Sequence, residues 1–309
     1  MVDVSTTVND LSSKTDIDCC QELQLFLHGV RDERHLLLPE ALGLRLNALD
    51  KIDAITGDLD PGVLKTYFDP ELIARAKSLR SKFEAANEML YESARAEIAL
   101  QGNSPAMDRW LMEQANDGSA ERPRPGLSFD LLDEIVSGVL PLRGPREAGL
   151  LQSPEMTAYQ PTPVRHILDL IATCRFGSDD VLVDLGSGLG HVPLLVSILT
   201  GIRTLGVEIQ PDYAASAQEA AQRLGLSRVR FAPEDARMTD LTRGTVFYMF
   251  SPFTGSILTD VLCGLRKQSR ERQIRVCSLG PCKRILQGQT WLKATNRPDT
   301  ERISVFKSL

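Results

Sequence analysis

The stretch Val181-Leu-Val-Asp-Leu-Gly-Ser-Gly-Leu-Gly-His191 decides how this chain is read. A short apolar run, Val181–Asp184, ends at the glycines Gly186, Gly188 and Gly190, and an almost wholly apolar helical stretch, His191–Thr200, opens directly after them. Glycine permits the tight turn and lets a ligand come close to the main chain. The start of the helix presents unpaired N–H groups. Several nucleotide-binding folds use such a turn, and spacing separates them. The pattern here is GxGxG, whereas a dinucleotide fingerprint is GxGxxG and would need glycine where this chain has His191. No GK[ST] follows, which excludes a P-loop.

Strands and helices alternate on the C-terminal side of the turn. Arg203–Ile209, Arg228–Ala232, Thr245–Phe250 and Ile274–Leu279 read as strands, with helices over Pro211–Leu224 and Gly255–Lys267. This order predicts a parallel sheet with helices on both faces. Thr290–Ala294 and Arg302–Phe306 have no helix between them, so they are expected to form an antiparallel hairpin at one edge. Before the turn the pattern is helical. Asp69-Pro70-Glu71 reads as an N-cap with proline at the first helical position. Leu72, Ala76, Leu79, Phe83, Ala86 and Leu90 then form one apolar stripe. Shorter helices are expected around Gln21–Val30, Ala41–Ile52, Ala106–Ala115 and Phe129–Val139, a loop over Asn116–Gly126, and an apolar helix over Val164–Cys174. The expected organisation is therefore a helical N-terminal domain over 1–140, a Pro- and Gly-rich linker and covering segment over 141–163, and an α/β domain over 164–309. The long Leu72–Leu100 helix offers a face for a homodimer.

Composition narrows the function classes. The 309 residues carry 35 Lys+Arg against 41 Asp+Glu, a formal net charge of −6. That balance argues against wrapping nucleic acid or lying on an anionic membrane. No apolar run reaches the ~20 residues of a membrane span. The opening MVDVSTTVND has neither the basic nor the apolar region of a signal peptide, and a cytoplasmic location is expected. Six cysteines with no CxxC pair, and four histidines, read as reduced thiols without a metal site.

Candidate binding residues gather at consecutive strand ends. Asp184 closes the first strand, Glu208 the second, and Asp235 follows the third in Pro233-Glu-Asp-Ala236. Glu208 can accept from both hydroxyls of a ribose, and Asp235 from an adenine amino group. In an open α/β sheet this edge is where ligands bind, and a pocket rimmed by acids suits a cationic adenosine ligand.

Asp184-Leu-Gly-Ser-Gly-Leu-Gly190, with Glu208 and Asp235, resembles the class I S-adenosylmethionine-dependent methyltransferases over about half the chain, Thr157–Leu309. The resemblance implies a Rossmann-like seven-stranded sheet with an antiparallel edge strand, and S-adenosylmethionine as cofactor. By carry-over Gly186, Ser187, Gly188 and Gly190 line the methionine part, Glu208 holds the ribose, and Asp235 with Ala236 flanks the adenine, with Asp184, Ile209 and Ser251 as further expected cofactor contacts. DLGSGLGHVPLLV and GVEIQPDYA look like DOT1-type lysine methyltransferases. Tyr159-Gln-Pro-Thr162 sits where such enzymes have a loop over the cofactor, so Tyr159 and Thr162 join the expected cofactor contacts. No Lys-rich stretch for nucleosomal DNA is present, and no histone substrate is inferred.

The fourth strand ends in Phe250-Ser-Pro-Phe253, where related nitrogen methyltransferases carry Asn or Asp and two prolines; base or glutamine methylation is not expected. Ser251 and Tyr159 are the candidate catalytic residues. His166 and His191 flank the motifs and read as structural. A small-molecule acceptor is expected. The alternatives are a protein side chain, an inactive cofactor-binding partner protein and, against the His191 evidence, an NAD-dependent oxidoreductase.

Overall fold

The computed structural model describes residues 25–27, 29–30, 33–56, 69–116, 130–144, 153–296 and 302–309. The chain divides into two compact units, one ending at Ser93 and the other Ala94–Leu309. The expected boundary at residue 140 lies inside the second of these units.

The first unit contains a helical turn at Glu33–Leu36, a 3-10 turn at Pro39–Ala41, helix α1 (Leu42–Thr56) and most of α2 (Pro70–Gln101). Asp69 starts α2 as the sequence predicts, its Oδ1 accepting from Glu71 N–H at 2.9 Å. Ala76, Leu79 and Phe83 of the expected stripe pack with Leu27, Val30, Ala48 and Ile52. Arg45 is fully buried beside them. Its guanidinium donates through Nε to Asn87 Oδ1 at 2.6 Å and through Nη1 to the carbonyls of Leu36 and Leu38, which offsets part of the cost of burying this cation. The expected Gln21–Val30 helix is described only in part, and most of the Asn116–Gly126 loop lies outside the described residues.

In the second unit, α3 (Pro105–Asn116) and α4 (Leu131–Val139) lead to α5 (Val164–Cys174). Asp130 and Asp133 form a capping box at the start of α4. Asp133 Oδ1 also accepts from Val164 N–H at 2.8 Å, supplying the acceptor that Pro163 lacks at the start of α5. The sheet has seven strands: β1 (Val181–Leu185), β2 (Arg203–Glu208), β3 (Val229–Pro233), β4 (Val246–Met249), β5 (Arg275–Ser278), β6 (Leu292–Ala294) and β7 (Ser304–Ser308). Their order is β3-β2-β1-β4-β5-β7-β6. The first five run parallel, and β7 is antiparallel to both β5 and β6. The expected hairpin is thus present, with β7 inserted against β5 and β6 left at the edge.

The connecting helices are α6 (His191–Thr200), α7 (Pro211–Arg223), α8 (Gly255–Ser269) and α9 (Lys283–Gln287). Alternation sends Val183, Leu185, Phe247, Met249 and Val276 to one face, where Ile257, Leu258, Val261, Leu262 and Leu265 of α8 cover them. α6 is buried almost all round, from Val192 to Ile198, as a helix under a doubly covered sheet must be. Strand order reverses between β1 and β4, and a crevice opens at that point. Among the described residues, no helix is long and apolar enough to cross a membrane.

Candidate functional site

A cavity of about 350 Å³ lies at the carboxyl ends of β1–β5. Tyr159, Thr162, Asp184, Gly186, Ser187, Glu208, Ile209, Asp235, Ala236 and Ser251, all singled out from sequence, line it. Among the described lining residues there is no Lys or Arg. Gly188 and Gly190 belong to the same turn but do not line the cavity.

Gly186, Gly188 and Gly190 all have positive φ (89°, 53° and 85°), the left-handed region that favours glycine. Gly186 and Ser187 N–H both donate to the Val207 carbonyl, at 2.8 and 3.0 Å. Gly188 N–H donates to Glu208 Oε2 at 2.8 Å. A Cβ on Gly188 would stand 2.1 Å from the Tyr159 ring, and one on Gly190 would stand 2.5 Å from the Phe231 ring. A Cβ on Gly206 of β2 would meet the same Phe231 ring, at 2.4 Å. Gly190 therefore makes room for Phe231 beneath the turn. The signal that would have found this contact, an aromatic residue on β3, two strands over from β1, lies 41 positions away.

The acids differ in setting. Asp184 is buried, and that burial, with Glu208 beside it, pushes its pKa well above the ordinary carboxylate value. Burial also raises Glu208, against the pull of N–H donors on Gln210, Gly188 and Ile209. Asp235 is more open, and its hydrogen bonds from Arg237, the shortest 2.6 Å, hold its pKa down. Ser187 is 8 % exposed, and its Oγ is buried with no hydrogen-bond partner among the described residues. A buried hydroxyl without a partner is costly and points to a ligand group.

The segment before α5 covers the turn. Tyr159 Oη is 3.3 Å from His191 Nδ1, and its ring lies 5.1 Å from that of Tyr213, centroid to centroid. Burial lowers the His191 pKa to about 4, which makes the neutral imidazole a weak proton acceptor, and raises that of Tyr159, which keeps the phenol protonated at pH 7. Thr162 Oγ1 is 3.1 Å from Tyr248 Oη, both buried. Upstream, Met156 pairs with Phe253 in an isolated bridge, and Thr157 bonds to the carbonyls of Pro252 and Ser251. Glu155 accepts from Ser256 and Ile257 N–H at the start of α8, which lowers its pKa. Tyr213, Tyr248 and Glu155 were missed by sequence reasoning. Tyr213 alone had a local signal, its place in the first turn after the Glu208 strand.

Ser251 has a φ of 44°, unusual for a residue with a side chain. Its Oγ donates to the Leu279 carbonyl and accepts from Cys282 N–H at 3.0 Å. The hydroxyl holds the loops after β4 and β5 together at the cavity wall. His166 is buried on α5, as a structural histidine would be.

Residues 153–242 match the family model for the histone methylation protein DOT1. None of the curated proteins compared with the chain matches it. Among solved structures, the chain is similar to an RNA methyltransferase from Salinibacter ruber in complex with S-adenosyl-L-homocysteine. The two are 24 % identical, covering 48 % of this chain and 92 % of that one, with a TM-score of 0.40. It is similar also to a mutant of MtNAS in complex with S-adenosylmethionine, at 16 % identity, covering 94 % and 96 % of the two chains, with a TM-score of 0.38. TrmN from Thermus thermophilus is 18 % identical over 46 % of this chain and 48 % of its own, with a TM-score of 0.37.

Proposed function

We propose that this chain, which carries the DOT1 family match over its cofactor motifs, transfers a methyl group from S-adenosylmethionine to a small-molecule acceptor. The observation that carries this reading is the pair of buried acids, Asp184 and Glu208, beside the unpartnered Ser187 Oγ, on a cavity whose described lining holds no cation. Such a site favours a ligand that brings positive charge and hydroxyls, and disfavours the pyrophosphate of a dinucleotide.

The residues fit the cofactor in named roles. Glu208 would hold the ribose hydroxyls with the lone pairs that its backbone donors leave free. Asp184 would face the amino group, with Ser187 Oγ as a hydrogen-bond partner nearby. Ala236 and Asp235 would flank the adenine. Tyr159 and Thr162 would cover the site and exclude water. When bound, the cofactor supplies a methyl on a positively charged sulfur that leaves as a neutral thioether, so no acid is needed for the leaving group. Catalysis by this chain is then mainly positioning. Burial leaves His191 a weak proton acceptor and Tyr159 protonated, so the acceptor's proton passes to solvent.

The family match ends at residue 242, before β4 begins at Val246. It supports cofactor use and does not reach the β4–β5 end of the cavity. A protein side chain as acceptor is the second reading, favoured by the family's description. The test is a calorimetric titration with S-adenosylhomocysteine and with NAD, followed by a turnover screen that reads S-adenosylhomocysteine release. Binding of NAD alone would overturn the proposal. Cofactor binding without turnover on any acceptor would favour an inactive partner protein.

A further inference from the structure

The cavity is chemically divided along the sheet edge. Its acids, Asp184, Glu208, Glu234 and Asp235, stand at the ends of β1–β3. With ribose and adenine over β2 and β3, and the methionine part over the β1 turn, the remaining space lies at β4 and β5. Phe250, Pro281, Cys282 and Ile285 wall that end, with the neutral Thr162–Tyr248 hydroxyl pair beside them. None of them is charged. The short helix α9 does carry cations, yet the buried Lys283 donates to the Arg302 carbonyl, and Arg284 does not line the cavity. Ile285, on the same helix, is a large apolar side chain left 45 % exposed at the rim. An exposed apolar residue continuous with a ligand cavity marks contact with an apolar ligand.

We infer that the β4–β5 end of this cavity takes an acceptor with a neutral, apolar body, and that Ile285 is a specificity-determining residue for it. The inference rests on the methyltransferase reading. In the transfer, the sulfur–methyl bond breaks with its electron pair staying on sulfur. A bond forms from the acceptor's nucleophilic atom to the methyl carbon, and the acceptor's proton goes to water. A carboxylate or phosphate on the acceptor body would meet no cation in this wall. An ammonium would lose its hydration against Phe250, Pro281 and Ile285 without an ion partner there.

The experiment uses the full chain saturated with S-adenosylhomocysteine and three probes with one ring system: 2-naphthol, 2-naphthoate and 2-naphthylmethylammonium. The expected result is binding of 2-naphthol about tenfold tighter than either charged probe. Ile285→Asp should lose most of that affinity, Ile285→Leu should keep it, and S-adenosylhomocysteine affinity should be the same in all three proteins. Charged probes that bind as well as 2-naphthol, or an Ile285→Asp protein that binds it normally, would overturn the inference. Failure of S-adenosylhomocysteine itself to bind is a separate readout and would remove the methyltransferase reading together with this one.

Discussion

Glu208 does two things that can be separated by substitution. Its oxygens accept from Gly188 N–H at 2.8 Å and Gln210 N–H at 2.9 Å, and so shape the turn. The remaining lone pairs face the cavity. Glu208→Ala should weaken S-adenosylhomocysteine binding by ~1.5–3 kcal/mol, the scale for losing hydrogen bonds to a charged group. Unchanged affinity by calorimetry in a folded variant would remove Glu208 from the site. Gly188 tests the turn in another way. Because an added Cβ would meet the Tyr159 ring, Gly188→Ala and Tyr159→Ala should be strongly non-additive in cofactor affinity. Removing the ring relieves the clash and leaves only the strain of a positive φ, about 1 kcal/mol. Additive losses in a double-mutant cycle would show that the ring does not rest on the turn. At this scale the sequence was legible where chemistry is local. Asp184, Glu208 and Asp235 were singled out because each stands at or just after a strand end, whereas the partners of Gly190 and Ser251 come from β3 and from the loop after β5 and leave no trace in the neighbouring residues.

Elements were read best where glycine or proline marks their ends. The bounds of α6 follow from Gly190 and Gly201, both in left-handed conformation, and α2 begins at Pro70 behind its Asp69 cap. The short helix α9 was missed because five residues after Pro281 and Cys282 hold too little periodicity to register. The placement of β7 between β5 and β6 was not legible either, since pairing partners of an edge hairpin depend on packing across the sheet. The Tyr159 segment shows how an element's mobility is bounded by its anchors. Glu155, Met156 and Thr157 are tied to the loop after β4 and to α8, and α5 begins at Val164 with its N–H on Asp133. Any closing movement is therefore confined to Ala158–Pro163. Added S-adenosylhomocysteine should slow amide exchange at Ala158, Tyr159 and Gln160 and leave Thr157, already donating to Pro252, unchanged. Identical exchange at all four amides with and without ligand would end the view of this segment as a lid.

Across the whole molecule, the site trades stability for binding through its charge. Asp184 and Glu208 have folded pKa values raised above their ordinary 3.8 and 4.5, chiefly by burial. Between the ordinary and the raised value the folded state binds more protons than the unfolded one. The stability slope is then negative, and the fold loses stability as pH rises through that window. Asp133, raised to about 6 by burial, adds its own slope between 3.8 and that value, so the site's share must be read from a variant. Asp184→Asn removes the titration while keeping the shape. At pH 8 the variant without ligand should melt higher than the parent chain, and at pH 4 the difference should shrink. Cofactor binding should move the opposite way, because the ligand's positive charge favours the ionised acid. Asp184→Asn should bind S-adenosylhomocysteine about tenfold more weakly, the scale of one charge-assisted hydrogen bond. For the same reason the parent chain should release protons on binding in the window between the ordinary and the raised Asp184 value, visible as binding enthalpies that vary with the ionisation enthalpy of the buffer. Equal melting temperatures at pH 8, together with buffer-independent enthalpies, would mean that Asp184 is already ionised and paired in the free protein. Its burial would then serve the fold and not the ligand.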